Sequence, residues 1–480
     1  MLGSLSSINS SWQIPSIAPT LPPDTPTGFS VSTSASYATL TFTPPAGATS
    51  YTVSATPTTN TYEVVVSRTF SSGTGYKLEV LSSQTTYTFS LVAANSSGSS
   101  AATTVSATTL TATIQASPTI TLTSLATFDI SAQNPTSYNH IASPKTLPNF
   151  IYSSFHNIGT YSPRMPLFYS DNGGTSFTNI ATRLKWNSNE SLTTADTICA
   201  DVACSDDGTY VYVQPYYRWL NVSTDSGATF NFSKSTASNS SAAIALSTIP
   251  TGEAVILAGQ GSGTYGTMNY AMHWSNNYNS TYTFRDVSAG NNAAAINPAT
   301  NYVYYSTGST NNILAYYNAG TKSNLLSFNF NTATFSTVSM GAICGIISRG
   351  NLTFVACTAV PKLRKSTDGF TFTNVAAFNT GGIAAGATLS AGAWMVMEPY
   401  VGFILVCTRN NPAQIYYSKD SGSTWAQLTS PTIPTITGAS AGTCVLQDDN
   451  VVVTIMVTNV VSGVNYRVSF YKLSIPVDIV

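Results

Sequence analysis

Between residues 24 and 110 apolar and polar side chains alternate in short runs: "GFSVSTS", "ATLTFTPP", "SYTVSAT", "YEVVVSR", "YKLEVLS", "YTFSLVAANSSG" and "AATTVSAT". Alternation with period two, bounded by Pro, Gly, Ser and Asn, predicts half-buried β-strands. Seven such strands with a turn signal after each predict two packed antiparallel sheets in a Greek key. Residues 1–23 are Ser- and Pro-rich without periodicity and predict an extended arm. Residues 111–118 read as a linker.

From residue 119 onward the strand pattern acquires a long period. "SLATFDIS" (124–131) and "SGATFNFS" (226–233) share one cadence, and the aromatic that follows the turn recurs as Phe128, Phe177, Phe230, Phe284, Phe335, Phe372 and Trp425. The intervals of 49, 53, 54, 51, 37 and 53 residues fall near one period. Self-similarity at such a period is the mark of a repeat architecture, in which each unit stacks on its neighbours. Ahead of the aromatics stand "SDNGGTSF", "STDSGATF", "SNNYNSTYTF", "STDGFTF" and "SKDSGSTW", with a decayed copy, "SFNFNTATF", at 327–335. The turn residues are Asn172, Asp225, Asn277, Asp368 and Asp420; Asp or Asn bonds a backbone N–H two residues on, and Gly supplies positive φ. The aromatic fills the space between units.

Each interval has room for four strands, as in "TICADVACS", "TYVYVQPYY", "RWLNVST" and "TFNFSKS". Six complete units lie between 132 and 435. After Trp425 three strands remain without a fourth, "GTCVLQD", "VVVTIMVTN" and "NYRVSFYKLS", whereas "SLATFDIS" is a fourth strand with nothing before it. The two fragments complete one another. The chain is therefore expected to be all-β: a sandwich followed, over 119–480, by seven four-stranded repeat units, the last of them completed by the N-terminal strand.

Composition agrees and narrows the function. Only 8% of residues are charged, the net charge is −1, and Glu and Lys number five and nine. Such a chain lacks the basic footprint that nucleic acid needs, and its richness in Val, Thr and Tyr favours strands. The start has no basic segment followed by an apolar core, so no secretory signal is read. No apolar run reaches 18 residues, so no membrane insertion is expected. Cys199, Cys204, Cys344, Cys357, Cys407 and Cys444 sit in apolar runs without metal-ligand spacing and read as free thiols. No metal or cofactor is expected.

Two resemblances follow from the residues. "LSSQTTYTFSLVAANSSGSS" (81–100) resembles fibronectin type III domains in the placement of Leu81, Thr85, Tyr87, Phe89, Leu91, Ala93, Asn95 and Gly98, with Tyr87 at the tyrosine corner. Phe42 stands where that family usually has Trp. The repeated S-x-[DN]-x-G-x-[ST]-[FW] turn resembles the Asp-box, or BNR repeat, of sialidases, sortilin-like receptors and certain xyloglucan hydrolases. The Asp-box resemblance implies a turn between the third and fourth strands of each blade of a β-propeller. The propeller so implied is seven-bladed over 119–480, and its N-terminal strand closes the last blade and removes the free edges. The fibronectin resemblance implies a spacer role for the first module.

Sialidases of that kind hold a substrate carboxylate with inner-strand arginines. Here the inner strands read "SYNHIAS", "TICADVACS", "AAIALS", "AAAINP", "GAICGIIS", "AWMVMEPY" and "GTCVLQD", and Arg164, Arg183, Arg218, Arg285, Arg349, Arg364, Arg409 and Arg467 are expected on outer strands or turns. The remaining catalytic candidates are Asp201 and Glu398, inner-strand acids of blades two and six, which a glycosidase would need within about 5–9.5 Å of each other. His140, His156 and His273 lack metal spacing. "AGQGSGTYG" (258–266) mimics a dinucleotide loop but precedes no helix. Tyr212, Tyr216, Tyr217 and Trp219 offer an aromatic surface of the kind that stacks on sugars, against a core role from strand alternation. Trp12 in the arm suits a peptide docking into a partner's groove.

With charges scarce and expected outside the channel, the sequence reads as a non-enzymatic structural or recognition protein. Modules of this kind look similar to surface components of large DNA viruses and phages, which implies a virion or extracellular surface location and a capsid or particle partner held through the arm, with glycans as a second ligand class. A glycoside hydrolase and a secreted adhesin are the alternatives.

Overall fold

A computed structural model describes the backbone of residues 21–60, 63–71, 73–131, 138–156, 167–185, 199–215, 220–232, 243–248, 255–260, 270–275, 283–286, 303–309, 312–319, 322–329, 334–340, 343–349, 352–358, 361–368, 371–379, 389, 393–408, 413–436, 439–462 and 465–480. The first unit is a sandwich of β1 (Thr27–Thr33), β2 (Ala38–Thr43), β3 (Ser50–Pro57), β4 (Val66–Phe70), β5 (Tyr76–Leu78), β6 (Thr86–Asn95), β7 (Gly98–Ser99) and β8 (Thr103–Thr108). One sheet runs β1-β2-β5; the other runs β4-β3-β6, with β7 and β8 both on β6. In β6 every second residue (Tyr87, Phe89, Leu91, Ala93) is buried, so strand alternation builds the core directly. The Tyr87 phenol oxygen accepts the Ser82 backbone N–H at 2.9 Å, pinning the turn that leads into β6.

Beyond the sandwich, β9 (Ala112–Ile114) pairs with the last strand of the chain, Asn465–Ile479, so the expected linker carries a strand of its own. β10 (Thr121–Ser131) pairs antiparallel with the same strand, Phe128 opposite Val468, and completes the sheet it forms with Asn450–Ser462 and Ala439–Gln447. Six further four-stranded antiparallel sheets are found among the described residues, each built in chain order. The innermost strands of the seven blades are Tyr138–Ala142, Cys199–Cys204, Ala243–Thr248, Val303–Ser309, Ile343–Arg349, Trp394–Glu398 and Ala439–Gln447. Each packs against the next and the seventh against the first, which makes a ring. The protein is an all-β propeller with a sandwich ahead of it. In blade four the inner strand is Val303–Ser309 rather than "AAAINP", which lies outside the described residues.

Apolar contacts between neighbouring blades hold the ring. Between blades six and seven they include Val396, Phe403, Leu405, Val453 and Ile455; between blades one and two, Tyr152, Leu167, Val211 and Phe230. Burying one such side chain contributes roughly 1.5–3 kcal/mol. A blade on its own would leave these faces wet, which is why the ring must close.

Candidate functional site

The turns that follow the first strands of the blades all lie on one face of the ring. Lys145, Asp206, Arg349, Glu398, Tyr400 and Asp449 stand at or just beyond the ends of inner strands, so the topology gathers them round that mouth of the channel. The sandwich is seated on this face. Its β3–β4 loop brings in Glu63, whose Oε2 accepts from Lys145 Nζ at 2.5 Å while its Oε1 accepts from Tyr400 Oη at 2.8 Å. Lys145 also donates to Ser82 Oγ at 2.7 Å, which links the pair to the turn pinned by Tyr87. Arg349 Nη2 stands 4.0 Å from Glu63 Oε1 and 3.3 Å from Asp206 Oδ2. Glu63 and Lys145 are 7% and 4% exposed, and charges so buried are tolerated only when paired.

Electrostatics separates the two carboxyls that share Arg349. Burial alone would raise Glu63, but the Lys145 and Arg349 charges and the hydrogen bonds from Lys145 and Tyr400 bring it down to about 2. Burial raises Asp206, and Glu63 and Glu398 add to this against the pull of Arg349 and Lys145. Burial works to lower Arg349, yet Asp206, Glu63 and Glu398 raise it above its ordinary value.

Around this centre the sandwich is sealed onto the ring. Asp448 and Asp449 form a two-residue hairpin turn with φ of +50° and +53°, the primed geometry such a short loop requires. The turn aims the Asp449 carboxylate at Ser34 Oγ (2.6 Å), Ser36 Oγ (2.9 Å) and the Ser36 N–H (3.2 Å). Lys77 pairs with Asp448, and Arg68 donates to the Thr146 carbonyl. Val445 and Val452 of blade seven join the apolar core of the sandwich, while Ala35 joins the cluster that holds Ile114 and Ile475. The sandwich is thus a plug on the propeller and not a free spacer.

Three sequence expectations are corrected here. Arg349 ends an inner strand and is not on an outer strand or an outer turn. The charges do not all stay outside the channel, because the strand ends converge on one mouth. Tyr212 is 0% exposed among Leu220 and Val222, so it offers nothing to a sugar. Asp201 accepts from His140 Nδ1 at 2.8 Å, and from the Val202 N–H at 2.7 Å. It lies three residues before the end of its strand, whereas Glu398 ends its own, a difference of roughly 10 Å along the channel. Tyr216, Tyr217, Trp219, Trp12 and Asn277 lie outside the described residues, as do the side chains of Phe284, Phe335 and His156. Of the thiols, Cys344, Cys357 and Cys407 are buried, Cys204 and Cys444 are half-buried, and all five are free.

The repeated turns have a geometry of their own. Asp420 Oδ1 accepts from the Thr424 N–H at 2.7 Å and from Ser418 Oγ at 2.9 Å, and Oδ2 accepts from Thr424 Oγ1 at 2.6 Å. Asp225 makes the same set with Thr229 and Ser223, and Asn172 Oδ1 accepts from the Ser176 N–H at 3.0 Å. In the turn shortened by one residue, Asp368 Oδ1 accepts from the Thr371 N–H at 2.7 Å. The amide reached is therefore four or three residues on, not two. The leading Ser, whose hydroxyl also accepts a Gly N–H, is the partner that pattern reading passed over. Gly227 has φ +79°, and a Cβ there would meet Tyr152 of blade one at 2.9 Å, so the turn packs on the neighbouring blade. Phe230 and Trp425 are buried between blades, Phe177 stacks on Phe470 with centroids 4.0 Å apart, Phe128 packs on Phe168 at 4.7 Å, and Phe372 is half-exposed.

No family model and no curated protein matches the chain. Among solved structures it is similar to YCF48 bound to D1 peptide, with 9% identity, TM-score 0.44, and 76% of this chain and 100% of that chain covered. It is also similar to an α-L-arabinanase of Penicillium chrysogenum complexed with arabinobiose, with 14% identity, TM-score 0.36, and coverage of 73% and 98%. The structure of FN3tt mut matches 18% of this chain and 96% of its own at 29% identity, with TM-score 0.16. Similarity at these levels carries nothing about ligand or activity. No helix among the described residues is long and apolar enough to cross a membrane.

Proposed function

We propose that the protein is a rigid, non-enzymatic structural or recognition module of a particle surface, a fibronectin type III-like plug seated on an Asp-box propeller. The observation that carries this reading is the use made of the ionisable groups at the described mouth. A catalytic site needs charges preorganised around a space that a substrate can enter. At this mouth Lys145 and Tyr400 are engaged by Glu63 of the protein's own sandwich, which occupies that position. Recognition is then left to the opposite face and to the arm. The resemblance to surface components of large viruses and phages supports a capsid or particle partner, with glycans as the second class.

The test is location and turnover together. Proteomics of purified particles against secreted fractions should find the chain on particles, and removing residues 1–23 should release it with both units folded. Incubation with sialosides, xyloglucan and other β-glucans should give no products. Glycan turnover that disappears in Asp201→Asn or Glu398→Gln would replace this reading with a glycosidase.

A further inference from the structure

The arm leaves the described chain at Leu21, and the sandwich fixes that point. The Asn95 side-chain amide donates to the Leu21 carbonyl at 2.8 Å, and Pro22 packs on Gly98, where a Cβ would meet its Cγ at 3.2 Å. The same amide reaches the Gly47 carbonyl at 3.3 Å, so the turns after β2 and β6 both brace the exit. β6 is ten residues long; it starts near Ser82, which bonds Lys145 of the ring, and ends at Asn95. At about 3.3 Å per residue the exit stands roughly 33 Å from the seated end. Leu21 is 77% exposed there. The arm therefore starts at the pole of the sandwich farthest from the propeller.

Blade seven marks the opposite end of the molecule. Its second strand starts at Asn450, beside the Asp448–Asp449 turn that meets the sandwich, and runs away from it to Ser462. Val460 and Val461, near that far end, are 50% and 48% exposed. Twenty residues of arm span at most about 66–72 Å. A return path down the sandwich, across a blade and over the rim takes roughly 60 Å, and leaves few residues to hold a partner. Residues 1–20 carry no charged side chain, and Leu2, Leu5, Ile8, Trp12, Ile14 and Ile17 stand among Ser, Asn and Pro. Such a segment suits an apolar groove on a protein and not a nucleic acid or an anionic lipid surface. We propose that the groove taking the arm lies on a shell protein beyond the sandwich pole, so that the attached chain stands with its sandwich inward and the ring face opposite the sandwich outward. This polarity rests on the particle-surface reading above, and it leaves the far ring face as the surface that meets an outside partner.

Cysteine labelling of the full chain on purified particles tests this, each variant being compared with itself free in solution. The unaltered chain gives the background from the native thiols. Both test positions are exposed, where a substitution changes stability little. Val461→Cys should react with a maleimide on particles as it does in solution, whereas Leu21→Cys should lose most of its reactivity. Protection of Val461→Cys with Leu21→Cys still reactive overturns the polarity, as do equal reactivities at the two positions. Protection of Val461→Cys in concentrated free protein, lost when residues 1–23 are removed, seats the arm on a second copy and overturns it too. Absence of the chain from particles removes the particle-surface reading and the polarity with it. Should either variant misfold, subtomogram averaging of unaltered particles decides. The sandwich between shell and ring supports the polarity, and the ring against the shell overturns it.

Discussion

The repeated turns and the plugged mouth solve the same problem, placing carboxylates, by opposite means. In the turn at Asp420 every hydrogen-bond partner lies within four residues, and the side chain stays partly exposed. At the mouth, Glu63 meets Lys145 across 82 residues of chain and Tyr400 across 337, and both charges are buried. A local device costs little entropy, can be copied from blade to blade, and loses little when one copy decays. A long-range device exists once, depends on the whole fold, and leaves an uncompensated charge when one partner goes. Most of the molecule's vulnerability should therefore sit at its closure and its mouth rather than in its repeats.

The largest effect is expected from the closure itself. Deleting residues 119–131 removes β10 and leaves the strand Asn465–Ile479 with an open edge. The truncated propeller should unfold without cooperativity or aggregate, and an unchanged calorimetric transition would contradict the closed ring. Next comes Lys145→Met, which strands Glu63 in the interior and should cost about 3–5 kcal/mol by denaturant unfolding. The double change Lys145→Met with Glu63→Gln should recover much of that loss. If the double variant is no better than the single one, the pair is not coupled.

Acid sharpens the same contrast. The Glu63 carboxyl is lowered in the folded protein from 4.5 to about 2, so its contribution is fully present above pH 4.5 and lost as pH falls toward 2. Asp206, raised by burial, works in the opposite sense and should soften the loss. Melting temperature against pH should fall through this window in the wild type and more shallowly in Lys145→Met/Glu63→Gln. Parallel curves would remove Glu63 from the account. The smallest effect belongs to the repeats: Asp420→Ala should cost about 1–2 kcal/mol, like the loss of a helix cap, and should leave binding by folded protein unchanged. Lost binding at full stability would make the turn a site.

Much of the architecture is legible in the chain because it is written in local patterns. Alternation along β6 names its buried face, and the spacing from Phe128 to Trp425 reveals the blade period. The unmatched "SLATFDIS" requires a partner, which proves to be the strand Asn465–Ile479. Within the turns, residue identity was readable but hydrogen-bond reach was not, since the pattern does not say which amide the carboxylate meets.

What only the tertiary structure decided is where the sparse charges go. Glu63, Lys145, Asp206 and Arg349 carry no spacing that relates them, and each alone reads as a solvated surface residue. They meet because antiparallel blades put every first-to-second strand turn on one face of the ring, and because β9 and the Ser34–Asp449 contacts fix the sandwich over that face. Strand period and turn chemistry act over a few residues, so one sequence displays them. The meeting of distant charges follows from ring closure and domain docking, which no short stretch of the chain contains.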